Sequence, residues 1–218
     1  MSYRVVVLVS GSGSNLQALL DACGQGAATP TIDATIVGVL SNRDEALALA
    51  RAARAGVATA VVKHRDFNER ADFDAAMIKP IDAWAPDMVV LAGFMRILTA
   101  DFVSHYSGRL INIHPSLLPK YKGLNTHQRA LEAGDAEHGC SVHFVTPELD
   151  GGPVIAKQRV SVDQHDSVES LAQRVHQAEH RLYPRVLGWL ASSRLRWLDG
   201  HLQFDGAPLR QPLDAPRP

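Results

Sequence analysis

The chain has 218 residues, 46% hydrophobic and 21% charged, with a net charge of −1. That length buries a full core without a disulfide or metal staple, and the near-neutral balance excludes a basic field for a nucleic-acid backbone. Cys23 and Cys140 make no C-x-x-C pair, and the N-terminal apolar run is too short for a membrane span and lacks a signal-peptide cleavage pattern, so a cytoplasmic enzyme is the expectation.

Arg4–Ser10 is a continuous apolar run, as expected of a parallel strand covered on both faces. It meets Gly11-Ser12-Gly13-Ser14-Asn15, and a helical pattern through Leu16, Leu19 and Leu20 then runs towards Gly24. Strand, glycine-rich turn and helix present free backbone N–H groups and a helix dipole to an anion. The dinucleotide fingerprint fails because Leu16 stands where its third glycine belongs, and a Walker A loop lacks its Gly-Lys-Ser/Thr. Two readings stand: a monophosphate held by Gly13, Ser14 and Asn15, or a flexible turn with Ser14 as helix cap.

A second strand, Ile32–Leu40, leads to Ser41-Asn42-Arg43, where Arg43 is placed to meet a 2′-phosphate if a dinucleotide binds. The helix Glu45–Ala55 and strand Val57–Val62 follow, then a mostly helical stretch, Arg65–Trp84, with Phe67, Phe73, Met77 and Ile81 on its buried face. The fourth strand, Met88–Ala92, runs into Gly93-Phe94-Met95-Arg96-Ile97-Leu98. That segment is either an apolar wall with Arg96 set in it for a ligand, or a core-filling loop with Arg96 in solvent.

Helix Ala100–Tyr106 precedes the central strand, Arg109-Leu110-Ile111-Asn112-Ile113-His114-Pro115. Side chains alternate along a strand, so Asn112 and His114 face the same way, ~7 Å apart. Pro115 stops the strand there. An amide and an imidazole thus stand together at the carboxyl end of a buried strand, the edge where open α/β sheets bind ligands.

Residues 116–123 read as irregular, and a helix is expected from Thr126 to Ala133. Gly139–Val145 and Val154–Val160 flank Thr146-Pro147-Glu148-Leu149-Asp150-Gly151-Gly152-Pro153, too short for a crossover helix, so they form an antiparallel hairpin. Asp150 there is either an Asx-turn residue or a carboxylate for chemistry. Val168, Leu171, Val175, Ala178 and Leu182 mark a long helix that Pro184 should kink or end. The tail holds a short strand pair, Arg194–Leu198 and His201–Phe204, around Asp199-Gly200, and a Pro-rich end expected to fray. The whole reads as one α/β domain over residues 1–218: a mostly parallel twisted sheet with flanking helices and a C-terminal antiparallel hairpin. Residues 1–109 form a βα half with the phosphate turn, 110–190 a second half with the Asn–His strand, and 191–218 a tail.

His176-Gln177-Ala178-Glu179-His180 matches the H-x-x-E-H of inverted zincins, but two imidazoles four apart lack the third protein ligand of a catalytic zinc, and no metal is expected. No G-x-S-x-G elbow or cysteine nucleophile motif is present. Asn112, His114 and Asp150 remain, a set suited to direct acyl-type transfer. The amide and an imidazolium would stabilise an oxyanion, and the carboxylate would orient and charge the imidazole.

Five blocks share the order and spacing of the phosphoribosylglycinamide formyltransferases, which the chain resembles over about residues 3–190. They are Ser10–Asn15, Ala92–Leu98, Asn112–Pro119, Ser141-Val142-His143-Phe144 and Asp150–Pro153. The resemblance implies a formyltransferase-like, Rossmann-related fold whose second half is catalytic and folate-binding. It implies that Gly13, Ser14 and Asn15 hold the substrate 5′-phosphate and that Glu179 helps bind the same ribonucleotide. Arg70, Met95, Arg96, Ile97, Leu98 and Asn112 would bind the co-substrate 10-formyltetrahydrofolate, with Thr146, Pro147, Glu148, Leu149 and Asp150 closing over its pterin. The partners implied are small molecules only, with no nucleic acid or membrane, and the chain would act as a monomer or weak homodimer. Lys122 and Asn125 depart from some relatives, which have Pro and His there. Other readings are another folate formyl transferase or formyltetrahydrofolate hydrolase, an NADP-linked oxidoreductase using Ser41–Arg43, and a non-catalytic nucleotide-binding module.

Overall fold

The computed structural model describes residues 2–26, 29–198 and 200–215. Strands β1 (Tyr3–Val9), β2 (Ala34–Ser41), β3 (Thr59–Val61), β4 (Met88–Leu91) and β5 (Leu110–His114) run parallel. β6 (Glu137–Phe144) and β7 (Val154–Ser161) add the expected antiparallel hairpin, giving the order β7-β6-β5-β4-β1-β2-β3.

β1 is apolar without alternation because both of its faces are covered. Val5, Val7 and Val9 pack with α1 (Ser14–Ala22) and α6 (Val168–Ala191), while Val6 and Leu8 pack with α3 (Arg70–Ala83) and α4 (Ala100–His105). α2 (Leu47–Arg54) and α5 (Thr126–Glu132) complete the helices. The chain builds β1 to β3 outwards, then crosses back to β4 and β5 on the other side of β1. The crevice of an open α/β sheet lies at that reversal, outside the carboxyl ends of β1 and β4. The glycine turn and the segment 93–98 both emerge there.

Four expectations change. The stretch Arg65–Trp84 divides into a 3-10 turn, His64–Asp66, and α3, because Phe67 and Glu69 take extended backbone between them. Pro184 does not end α6, which runs to Ala191. Buried Leu182, Tyr183, Val186, Leu187 and Leu190 hold both sides of the proline to the sheet, outweighing one missing N–H. The expected tail pair gains a third strand: β8 (Leu195–Leu198), β9 (His201–Phe204) and β10 (Ala207–Pro208) form a separate sheet. The end does not fray as far as Ala215, since β11 (Leu213–Asp214) pairs parallel with β7. Asp199 of the expected turn and the last three residues lie outside the described residues.

Candidate active site

β5 places its side chains as alternation requires. Ile111 and Ile113 enter the core beside α6, while His114, 5% exposed, and half-buried Asn112 face the other side. His114 Nε2 lies 2.9 Å from the Tyr121 carbonyl, which only accepts, so Nε2–H donates. Its Nδ1 faces Asp150 Oδ2 at 3.4 Å, and both side chains are nearly buried.

Asp150 does not spend its carboxylate on an Asx turn. It sits in left-handed backbone at φ 46°, which Asp tolerates, and Oδ2 accepts the Gly123 N–H at 2.9 Å across the site. The turn that aims it requires Gly152, where a Cβ would meet the Phe144 carbonyl oxygen at 1.9 Å.

The residues 115–125 that carry Tyr121 and Gly123 are held from several sides. Ser141 Oγ donates to the Ser116 carbonyl and accepts the Leu118 N–H, and Asp135 accepts from Lys120 and the Tyr121 hydroxyl. Lys122 pairs with Glu148 at 2.7 Å, joining this loop to residues 146–150 at the surface, and Asn125 takes left-handed backbone ahead of α5.

Sequence reasoning missed His143. It pairs opposite Asn112 across β5 and β6, is 2% exposed, and its Nε2 lies 3.2 Å from Asn112 Nδ2 and 3.7 Å from Asp150 Oδ1. The signal was present in the Ser141–Phe144 block, but only the β5–β6 register shows whom His143 faces.

Beneath the loop lies a histidine pair, His127 Nδ1 to His138 Nε2 at 3.2 Å. Burial, then the neighbouring His127, pushes His138 down to about 4, and burial also lowers His127. The unfolded chain therefore binds protons that the folded chain refuses. Stability should fall by roughly 3 kcal/mol as the pH drops from the ordinary imidazole value, ~6.5, towards His138's own. Urea unfolding across that range checks this: His138→Asn should flatten the slope, and an unchanged slope would remove the pair as its source.

The glycine turn differs in detail from expectation. Gly13 is the N-cap of α1 in left-handed backbone at φ 73°, and no side chain caps the helix, so Ser14 does not serve as its cap. The first N–H groups of α1 are thus left for an anion. A Cβ on Gly13 would meet Ala48 Cα at 2.8 Å, so this glycine also lets α2 pack against the turn. Asn15 Nδ2 donates to Glu179 Oε2 at 2.8 Å, while Asn15 Oδ1 is buried without a partner. Burial raises the Glu179 carboxyl, opposed by the Asn15 bond and His176. Glu179 is buried on the inward face of α6, whereas His176 is exposed. The turn stands two strands from β5, ~10 Å at the usual strand spacing.

Arg96, Ile97, Leu98, Asn112, His143 and residues 146–150 enclose a cavity of about 120 Å³. Arg96 also borders an open groove of about 540 Å³ with Arg70, His64 and Phe73. Met95 borders neither; it is 68% exposed and its N–H donates to Ser10 Oγ. Asp74 in α3 was also missed: it is 1% exposed and its Oδ2 accepts the Thr99 N–H at 2.6 Å, anchoring the segment that carries Arg96. Burial raises its carboxyl, and Thr99, Arg70 and Arg96 oppose the rise.

Residues 3–187 match the formyl transferase family. The chain is 54% identical to a phosphoribosylglycinamide formyltransferase of Escherichia coli K12 over 203 residues, covering 90% of this chain and 94% of that protein. It is 44% identical to the human trifunctional purine biosynthetic protein adenosine-3, with 88% of this chain matched to 19% of that longer protein. Among solved structures, a phosphoribosylglycinamide formyltransferase of Coxiella burnetii in complex with CHES superposes with a TM-score of 0.92 at 48% identity, covering 99% of this chain and all of the other.

Proposed function

The chain belongs to the formyl transferase family, and on that premise we propose that it moves the formyl group of 10-formyltetrahydrofolate onto the amine of N1-(5-phosphoribosyl)glycinamide, the N-formylation step of de novo purine synthesis. The observation that carries this reading is the meeting of Asn112, His114 and Asp150 at the carboxyl end of β5, two strands from the uncapped start of α1.

The substrate amine attacks the formyl carbon with its lone pair, and the carbonyl oxygen becomes an oxyanion. An Asn112 N–H and a proton on His114 Nδ1 stabilise it, since Nε2 is already given to the Tyr121 carbonyl. Asp150, 3.4 Å from Nδ1, orients the ring and sets a carboxylate beside it. As the carbonyl re-forms, the bond to folate N10 breaks and the proton lost by the amine ends on N10. Tetrahydrofolate and the N-formyl ribonucleotide leave. No metal has a role in this scheme.

Gly13, Ser14 and Asn15 hold the 5′-phosphate at the α1 N-terminus, and Glu179, steadied by Asn15, binds the same ribonucleotide. Arg70 and Arg96 face the anionic end of the folate, with Ile97 and Leu98 as its apolar wall and Met95 at the rim. The cavity beside Asn112 is smaller than the ~300–1,000 Å³ of ordinary ligand pockets. Thr146, Pro147, Glu148, Leu149 and Asp150, which line that cavity, close over the pterin. Residues 1–109 supply the phosphate turn and both arginines, 110–190 the catalytic set and Glu179, and 191–218 a tail. The protein works on small molecules in the cytoplasm as a monomer or weak homodimer. No helix among the described residues is long and apolar enough to cross a membrane.

Incubating purified protein with 10-formyltetrahydrofolate and glycinamide ribonucleotide should give the N-formyl ribonucleotide in step with tetrahydrofolate. Tetrahydrofolate released equally fast without the acceptor would make the protein a hydrolase instead.

A further inference from the structure

His143 is not in the set expected to react, yet it faces two of its three members. Its Nδ1 lies 2.9 Å from the Phe144 carbonyl, which can only accept, so the ring proton is on Nδ1. Nε2 of a neutral ring is then a bare acceptor, and the atom 3.2 Å away is the Asn112 amide nitrogen, a donor. The bond has one direction only: Asn112 gives one N–H to His143.

That direction settles which way the Asn112 amide points. With the NH₂ end turned towards His143, its second N–H projects into the site, and Oδ1 is turned away. The flipped amide would set Oδ1 against bare Nε2, two acceptors in a nearly dry pocket, an arrangement that leaves both unpaired. The β6–β7 register shifts between Val142 and His143, beside this contact. Such bulges re-aim side chains next to active sites.

The geometry points to His143 as a positioning residue for formyl transfer: held in its Nδ1–H form by the Phe144 carbonyl, it fixes the Asn112 amide with a free N–H facing the formyl oxygen. This rests on the reading that Asn112 serves that oxygen. Burial keeps the His143 ring towards its neutral form, with the Phe144 carbonyl and Asp150 opposing and His114 and Lys122 adding to the effect. A neutral ring also leaves the Asp150 charge to His114, because an Nε2–H on His143 would draw Asp150 Oδ1, 3.7 Å away, towards itself.

The test compares His143→Leu, which removes the acceptor, with His143→Gln, whose side-chain oxygen can accept the same N–H. A misaimed donor costs up to ~10² in rate. His143→Leu should lose about that much kcat with KM for both substrates little changed. His143→Gln should recover most of it, and His143→Leu combined with Asn112→Ala should be no worse than Asn112→Ala alone, because both act through one group. Normal kcat in His143→Leu beside a crippled Asn112→Ala would overturn the inference and leave the formyl-transfer reading intact; normal kcat in Asn112→Ala would overturn that reading itself. A loss confined to KM, a Gln variant as poor as Leu, or additive losses would each reduce His143 to a structural part. Nitrogen NMR of the ¹⁵N-histidine-labelled parent enzyme tests the same point even if the Leu variant does not fold. A protonated Nδ1 and bare Nε2 at neutral pH are expected, and an Nε2–H form would overturn the assignment.

Discussion

Asp150→Asn should lower kcat by as much as ~10⁴, the size seen when the carboxylate that orients a catalytic histidine is neutralised in a serine protease. The substitution keeps the shape, and Asn tolerates the left-handed backbone that Asp150 adopts at φ 46°, so folding stability should hardly move. What changes is the charge facing His114 Nδ1 at 3.4 Å. The new amide must also turn its oxygen to the Gly123 N–H, now held by Asp150 Oδ2 at 2.9 Å. Its NH₂ then faces His143 Nε2, a bare acceptor, and competes with Asn112 for it. Both consequences weaken the oxyanion donors. Because His114 and Asp150 act as a unit, the double variant His114→Ala with Asp150→Asn should be scarcely worse than the poorer single variant. The measurement is kcat against pH for both singles and the double. Fully additive losses with an unmoved pH profile would leave Asp150 as a turn residue only.

Asn112→Ala should cost ~10²–10³ in kcat, the usual loss for one oxyanion donor in a water-poor site. Asn112 has no proton to surrender, so in the proposed mechanism its contribution is a hydrogen bond that strengthens as the formyl oxygen gains charge. It also borders the cavity with Arg96, Ile97 and Leu98, so KM for the folate should rise somewhat while KM for the ribonucleotide stays level. Asn112→Asp separates donor from shape: a carboxylate fits the space, cannot donate, and adds a like charge near Asp150. It should be at least as damaging as Ala. Near-normal turnover in either variant would remove Asn112 from the mechanism.

Strand alternation was enough to put Asn112 and His114 on one face, and Pro115 marked where they stop. The apolar runs of β1 and β4, each ending at a glycine, placed the glycine turn and the segment 93–98 at the same sheet edge. Ordered blocks of residues, one of them holding Asp150, pointed to the family, and the resemblance then implied a role for Glu179. These signals are local or short-range in sequence, set by side-chain period and by backbone freedom at glycine and proline.

What only the tertiary structure decided depends on segments far apart in the chain. His143 meets Asn112 because β6 pairs antiparallel with β5 in one particular register, which no local pattern encodes. The Tyr121 carbonyl and Gly123 N–H, which direct His114 and Asp150, are backbone atoms and carry no sequence signature. Asp74 belongs to no motif, and only packing buries it and sets its carboxylate on the Thr99 N–H. Gly13 read as a phosphate glycine, and only the fold shows that it also lets Ala48 approach the turn. Pro184 carried a correct local preference for breaking a helix, and it was overruled by apolar burial along α6. Local chemistry chose the elements and most of the candidate groups. Their protonation and aim came from contacts between elements, because a tautomer or an amide orientation is set by whichever partner the fold brings within 3 Å or so of it.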